Sequence, residues 1–135
     1  MSNTNKTIIN SRVIIIQKLY GKLFNDDEVI SFPKHRFKKF IKDVVYGTIE
    51  RDEVINDELS IISQNYNLKK LDKIIVIILK AAIFEFLYRS KTPIKIIIKE
   101  YLNASNFFIE NTKTKYLNAL LDKISKNLRL TNEGK

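Results

Sequence analysis

Cysteine is absent from the 135 residues, which excludes disulfides, thiolate nucleophiles and cysteine metal sites together. That absence fits a reducing compartment. Only 3 Gly and 2 Pro are present. Folds built from strands and tight turns rarely manage with so few turn formers. A helical chain does, because helix interiors exclude both residues. His35 is the one histidine, so a multi-histidine metal site is excluded as well. The most apolar run, Ile74 to Leu79, is bracketed by Lys73 and Lys80. It falls far short of the roughly 20 apolar residues that span a bilayer. Met1 to Asn10 is polar and lacks the apolar stretch and small-residue cleavage site of a secretory signal. The expectation is a cytoplasmic protein with no membrane role.

Lys and Arg number 24 against 15 Asp and Glu, a formal net charge of +9. An excess of this size suits a polyanionic partner such as nucleic acid. An AT-rich genome also yields Lys, Ile and Asn in abundance, so the charge alone does not name the partner. Hydrophobic residues make up 44%, enough for an ordinary core in one domain.

The apolar spacing predicts helices throughout. A first helix, capped by Thr4 or Asn5, runs to about Leu23 with Ile15, Ile16, Leu19, Tyr20 and Leu23 on one face. Ser31-Phe32-Pro33 reads as the next helix start, because proline suits the first turn. Phe37, Phe40, Ile41, Val44 and Val45 then repeat at three and four, and Gly47 is placed to end or bend that helix. A third helix carries Val54, Ile55, Leu59, Ile62 and Tyr66. Leu71 to Arg89 is apolar on nearly every side, as a central buried helix requires. Thr92-Pro93 opens a fifth helix to about Asn106, with Thr92 as cap. Asn111-Thr112 caps a last helix with Tyr116, Leu117, Leu120, Leu121, Ile124 and Leu128, and Thr131 to Lys135 reads as a frayed tail. The fold class is all-α: a compact bundle of about six to seven helices. It forms a single domain over 1–135, with an N-terminal half near 4–67 and a C-terminal half near 68–130.

Catalytic and metal chemistry find no support. No G-x-S-x-G, G-x-x-x-x-G-K-[ST] or G-x-G-x-x-G occurs. Asp26-Asp27-Glu28 lacks the ligand order of a calcium loop. Asp52 and Glu53 are adjacent and point apart on a helix. His35 sits among Lys34, Arg36, Lys38 and Lys39, a solvated basic edge. The reading is a non-enzyme with no cofactor. What remains is charge and polar groups at helix ends: Arg12, Gln17 and Lys18 on the first helix, and Lys113, Lys115, Asn118 and Lys123 on the last. Lysines there suit phosphates, and Gln17 and Asn118 suit base edges. The competing reading is an ordinary solvated surface.

Four stretches in order resemble the NusB family of transcription antitermination factors. Ser11-Arg12 with Gln17-Lys18-Leu19-Tyr20 is similar to A-R-x-x-A-x-Q-x-L-Y. Leu79-Lys80-Ala81-Ala82-Ile83-Phe84-Glu85-Phe86 is similar to L-R-x-A-x-Y-E-L. Thr92-Pro93 through Ile98-Lys99-Glu100 resembles V-P-x-x-V-A-I-N-E-A, and Lys115 through Lys123 resembles K-F-V-N-G-V-L-D-K.

The resemblance implies two packed helical subdomains and binding to boxA-like single-stranded RNA of ribosomal operon leaders. It also implies a heterodimer with a NusE-like small-subunit ribosomal protein within the RNA polymerase antitermination complex. Family members occur as monomers and dimers, so a homodimer stays open. By motif position, Arg12, Gln17, Asn118 and Asp122 lie at or near RNA, Lys115 neutralises phosphate, and Lys6 and Lys113 add charge. Tyr20 and Glu85 contact the partner, with Lys80 close by. Glu85 is a charge in an apolar helix and needs a counterpart, either on that partner or on an internal Lys or Arg.

The chain departs from the family at three places. Ile8, Ile9 and Asn10 stand where an arginine cluster often begins the first helix. Ala119 replaces the motif glycine, and Ile109 stands where a glycine often follows Phe. The missing arginines motivate an alternative: a protein-only adaptor with little direct RNA binding.

Overall fold

The computed structural model describes residues 10–27, 29–63 and 70–133. Among these residues there are six α-helices and no strand. They are α1 (Ser11–Phe24), α2 (Lys38–Glu50), α3 (Asp52–Ser63), α4 (Lys73–Tyr88), α5 (Ile94–Ser105) and α6 (Thr114–Glu133). The all-helical expectation holds, and α4 is the central element, packed against each of the other five. Its sequence explains why. Ile78, Leu79, Ala81, Ala82 and Ile83 are wholly buried, and with the buried Phe84 and Glu85 they cover most of the helix circumference.

Several boundaries differ from the sequence reading. The proposed caps Thr4 and Asn5, and Tyr66 of the third helix, lie outside the described residues. Asn10 caps α1: its side-chain oxygen accepts the Arg12 N–H at 2.7 Å. Pro33 does not start α2, which begins at Lys38. The segment before it is held otherwise. Phe32 packs edge-on against Tyr46 at 5.6 Å between ring centres, and the Phe37 N–H donates to His35 Nδ1 at 3.0 Å. Gly47 neither ends nor bends α2, which continues to Glu50. A Cβ there would lie 2.3 Å from the Phe84 ring, so Gly47 lets α4 approach α2 closely. Pro93, not Thr92, occupies the cap position of α5. Asn111–Lys113 forms a 3₁₀ turn ahead of α6, and α6 continues through Thr131 to Glu133.

Two contacts fix how α1 lies on α4. Arg12 meets Glu85, and the Lys73 ammonium sits 5.5 Å from the Phe24 ring centre. The two helices are therefore antiparallel. The α2 helix runs the same way as α1, since Arg12 stacks on Phe40 while Leu19 and Leu23 face Thr48 and Ile49. The start of α6 is tied to the start of α4 by Lys113 and Asp72, 2.5 Å apart.

Candidate functional site

Arg12 on α1 and Glu85 on α4 turn inward. Arg12 is 9% exposed, and Glu85 and Tyr101 are 0% exposed. The Arg12 Nη2 donates to Glu85 Oε1 at 2.7 Å, and its Nε donates to Oε2 at 3.1 Å. The Tyr101 hydroxyl donates to the same Oε2 at 2.5 Å. The guanidinium also lies over the rings of Phe40 and Tyr101, at 5.0 and 5.5 Å. Three helices thus meet at one carboxylate, and Phe40 adds α2 against the guanidinium.

Burial alone would lower the Arg12 pKa. The hydrogen bond and charge of Glu85, helped by Tyr101 and Glu100, outweigh it and hold the guanidinium above its usual value. Burial is the main reason that Tyr101 sits well above the ordinary tyrosine value, reinforced by the charge and hydrogen bond of Glu85. This arrangement corrects two expectations. Glu85 presents no atom to a partner, because its counterpart is the internal arginine. Arg12 is not a surface cation for phosphate, because its charge is matched inside the bundle.

Tyr20 is exposed near the end of α1, and Lys80 lines a groove that the same helix borders. Tyr20 is 38% exposed, Leu23 53% and Phe24 61%, so the end of α1 forms an apolar shoulder rather than core. The Tyr20 and Phe24 rings meet edge-on with centres 4.8 Å apart. Beside them runs a groove of about 330 Å³, lined on the α1 side by Leu19 and Leu23 and opposite by Ile77 and Lys80. Lys80 is held at its rim by Asp52 at 2.7 Å. Thr48 lines the groove, and its buried hydroxyl has no hydrogen-bond partner among the described residues. Periodicity had assigned Tyr20 and Leu23 to the core. No sequence signal separates a stripe that faces the chain's own core from one left for another molecule.

The α6 candidates are exposed. Lys115, Asn118 and Asp122 follow one another at three and four residues, so they share a face, and Asp122 pairs with Lys126 at 3.0 Å. Lys113 lies just before α6, and its hydrogen bond and ion pair with Asp72 raise its pKa. Asp72 adjoins Lys73, which reaches Phe24. Lys113 is thereby tied to the start of α4, the end that Phe24 approaches. Gln17 is exposed on α1 and, with Lys18, faces the 29–31 segment across a hollow of about 150 Å³. Lys6 lies outside the described residues.

Arg12 and the α6 lysines occupy different ends of α4. Asp72 and Glu85 are separated by 13 residues, about 20 Å along a helix. Arg12 and Lys113 are therefore anchored about 20 Å apart along α4. Among the described residues no cluster of His, Asp or Glu could hold a metal ion, and no helix is long and apolar enough to cross a membrane.

Fold and surface define a basic protein, all-helical among the described residues, with a groove beside an apolar shoulder. Comparison with known proteins narrows that class. The sequence model of the NusB family matches residues 9–126. A Coxiella burnetii protein named transcription antitermination protein NusB is 32% identical, with 93% of this chain and 96% of that protein covered. A Maricaulis maris protein of the same name is 27% identical, over 88% of this chain and 86% of that one. A solved structure of T. maritima NusB superposes with a TM-score of 0.73, covering 89% of this chain and 92% of that one, at 21% identity. The chain belongs to the NusB family.

Proposed function

We propose that this chain acts in transcription antitermination, binding boxA-type RNA jointly with a NusE-like small-subunit ribosomal protein, and catalyses no reaction. The observation that carries the reading is the apolar shoulder of Tyr20, Leu23 and Phe24 beside a groove with an unsatisfied Thr48 hydroxyl. Aromatic anchors next to a pocket are what partner recognition uses. Lys113, Lys115 and Asn118 sit on the neighbouring helix end, where RNA held by both proteins would meet them. Lys80, at the groove rim, supplies a charge for the partner.

The test is a binding assay with the NusE-like protein and fluorescent boxA-like RNA. Tyr20→Asp should weaken the protein complex at least about ten-fold, as loss of an anchor does. RNA affinity of the complex should fall with salt at about −0.7 per phosphate, for roughly three to five phosphates. A complex with no preference over scrambled RNA, or salt-insensitive binding, contradicts the proposal. The internal placement of Arg12 favours one second reading, the protein-only adaptor. That reading requires tight partner binding with no gain in RNA affinity on complex formation.

A further inference from the structure

The basic segment that follows Pro33 takes no part in the groove or the α6 row, yet it has the strongest local charge in the chain. Lys34, Arg36, Lys38, Lys39 and Lys42 fall within nine residues that hold no acid, and all five are exposed. Among the described residues only Lys39 of these is ion-paired, with Asp43 at 3.4 Å. Its side chain remains 91% exposed. The same Asp43 lies 3.9 Å from Arg89, which also sits over the Phe40 ring at 5.0 Å. The α4–α5 connection, with Arg89 and the exposed Lys91, therefore extends the basic surface beyond α2.

An aromatic ring stands in the middle of this charge. Phe37 is 50% exposed. The Arg36 guanidinium lies 5.1 Å from its ring centre and the His35 ring 5.9 Å away. The Phe37 backbone is held by its bond to His35 Nδ1, so the ring is presented on a fixed turn. Cations that track a backbone, with an exposed ring for a base to stack on, are the two parts of single-strand recognition.

We propose that this surface, from Lys34 to Lys42 with Arg89 and Lys91, is a second RNA-binding site that grips the phosphates of single-stranded RNA and stacks one base on Phe37. It rests on the reading of the chain as an RNA-binding protein, and it is separate from the α6 row. A membrane surface fits less well. An interfacial helix needs a broad apolar face, and the apolar face of α2, Ile41, Val44 and Val45, is buried in the core.

The test uses the full chain and fluorescence anisotropy with two probes, a labelled 12-nucleotide oligouridine and a boxA-like RNA, across a salt series. The triple variant Lys34→Ala/Arg36→Ala/Lys38→Ala should lose about ten-fold or more in affinity for both RNAs. Its salt slope should fall by about 2, as loss of three phosphate contacts requires. Phe37→Ala should lose about five-fold with the slope unchanged, since stacking is not a counterion effect. Thermal melts of both variants should match wild type, because the altered side chains are exposed. A control, Lys115→Ala/Asn118→Ala, tests the α6 row alone. If the triple variant binds both RNAs with wild-type affinity and slope while the control does not, this second site is wrong and the functional reading stands. If wild type binds neither RNA, the second site is wrong, while the joint reading stands or falls on the assay with the NusE-like protein present. Vesicles of phosphatidylserine and phosphatidylcholine form the last arm. Sedimentation of wild type with them, lost in the triple variant while RNA binding is unaffected, assigns the surface to membranes and overturns the proposal.

Discussion

At its two ends α4 carries the same kind of pair in opposite surroundings. Near its start Asp72 takes Lys113 in water, with both side chains about half exposed. Near its end Glu85 takes Arg12 and Tyr101 where neither carboxylate oxygen reaches solvent. An exposed pair stabilises a fold little and its lysine can exchange one anion for another. A buried pair cannot exchange, and breaking it strands a charge. One end of α4 is therefore built to hold helices together, and the other leaves its cation available. Charge in this sequence signals function only where water reaches it.

The largest effect should come from the buried end. Glu85→Ala leaves the Arg12 charge unmatched and should lower unfolding stability by about 3–5 kcal/mol in a urea titration. A loss below about 1 kcal/mol would mean that water already reaches the site.

Tyr101→Phe should cost less, about 1.5–3 kcal/mol, for one hydrogen bond to a charged group. It has a sharper signature in pH. The folded tyrosine holds its proton well above the ordinary value of 10.0, so the unfolded chain releases it first. Stability is then fully present below about pH 10 and declines as pH rises from there toward the folded-state value. Melting temperatures from pH 9 to 11 should fall more steeply for wild type than for Tyr101→Phe. Parallel slopes would contradict the assignment.

The smallest effect on the fold belongs to the exposed end. Lys113→Ala should leave the urea midpoint unchanged, while the salt slope for RNA binding by the complex falls by about 0.7. A shifted midpoint with an unchanged slope would reverse the roles of the two ends.

How far the sequence could be read follows from the same contrast. The α4 helix was legible because it is apolar on nearly every side, and α6 because its apolar residues repeat at helical spacing from Tyr116 to Leu128. The start of α2 was not: Pro33 suits a first turn, but Phe32 has a better place against Tyr46, and tertiary packing overrode the local signal. Glu85 was legible as a group that must be paired. Its counterpart was not, because Arg12 lies 73 residues away and nothing local marks the choice. Tyr20 was legible as a candidate anchor through motif position alone, while its periodicity pointed to the core. The Lys34–Lys42 segment read as an ordinary solvated edge. Only the structure exposes Phe37, which periodicity put in the apolar stripe, and brings Arg89 alongside.

The account stands on the claim that Arg12 serves the interior and that RNA is met by other cations. A triple replacement, Arg12→Met/Glu85→Leu/Tyr101→Phe, removes the whole buried network and leaves no orphaned charge. Such apolar replacements are often neutral or stabilising. The measurement is the affinity of this variant, with the NusE-like protein bound, for boxA-like RNA. The expected result is a folded protein whose affinity stays within about two-fold of wild type. A folded variant that loses about ten-fold or more would place Arg12 at the RNA and contradict the account.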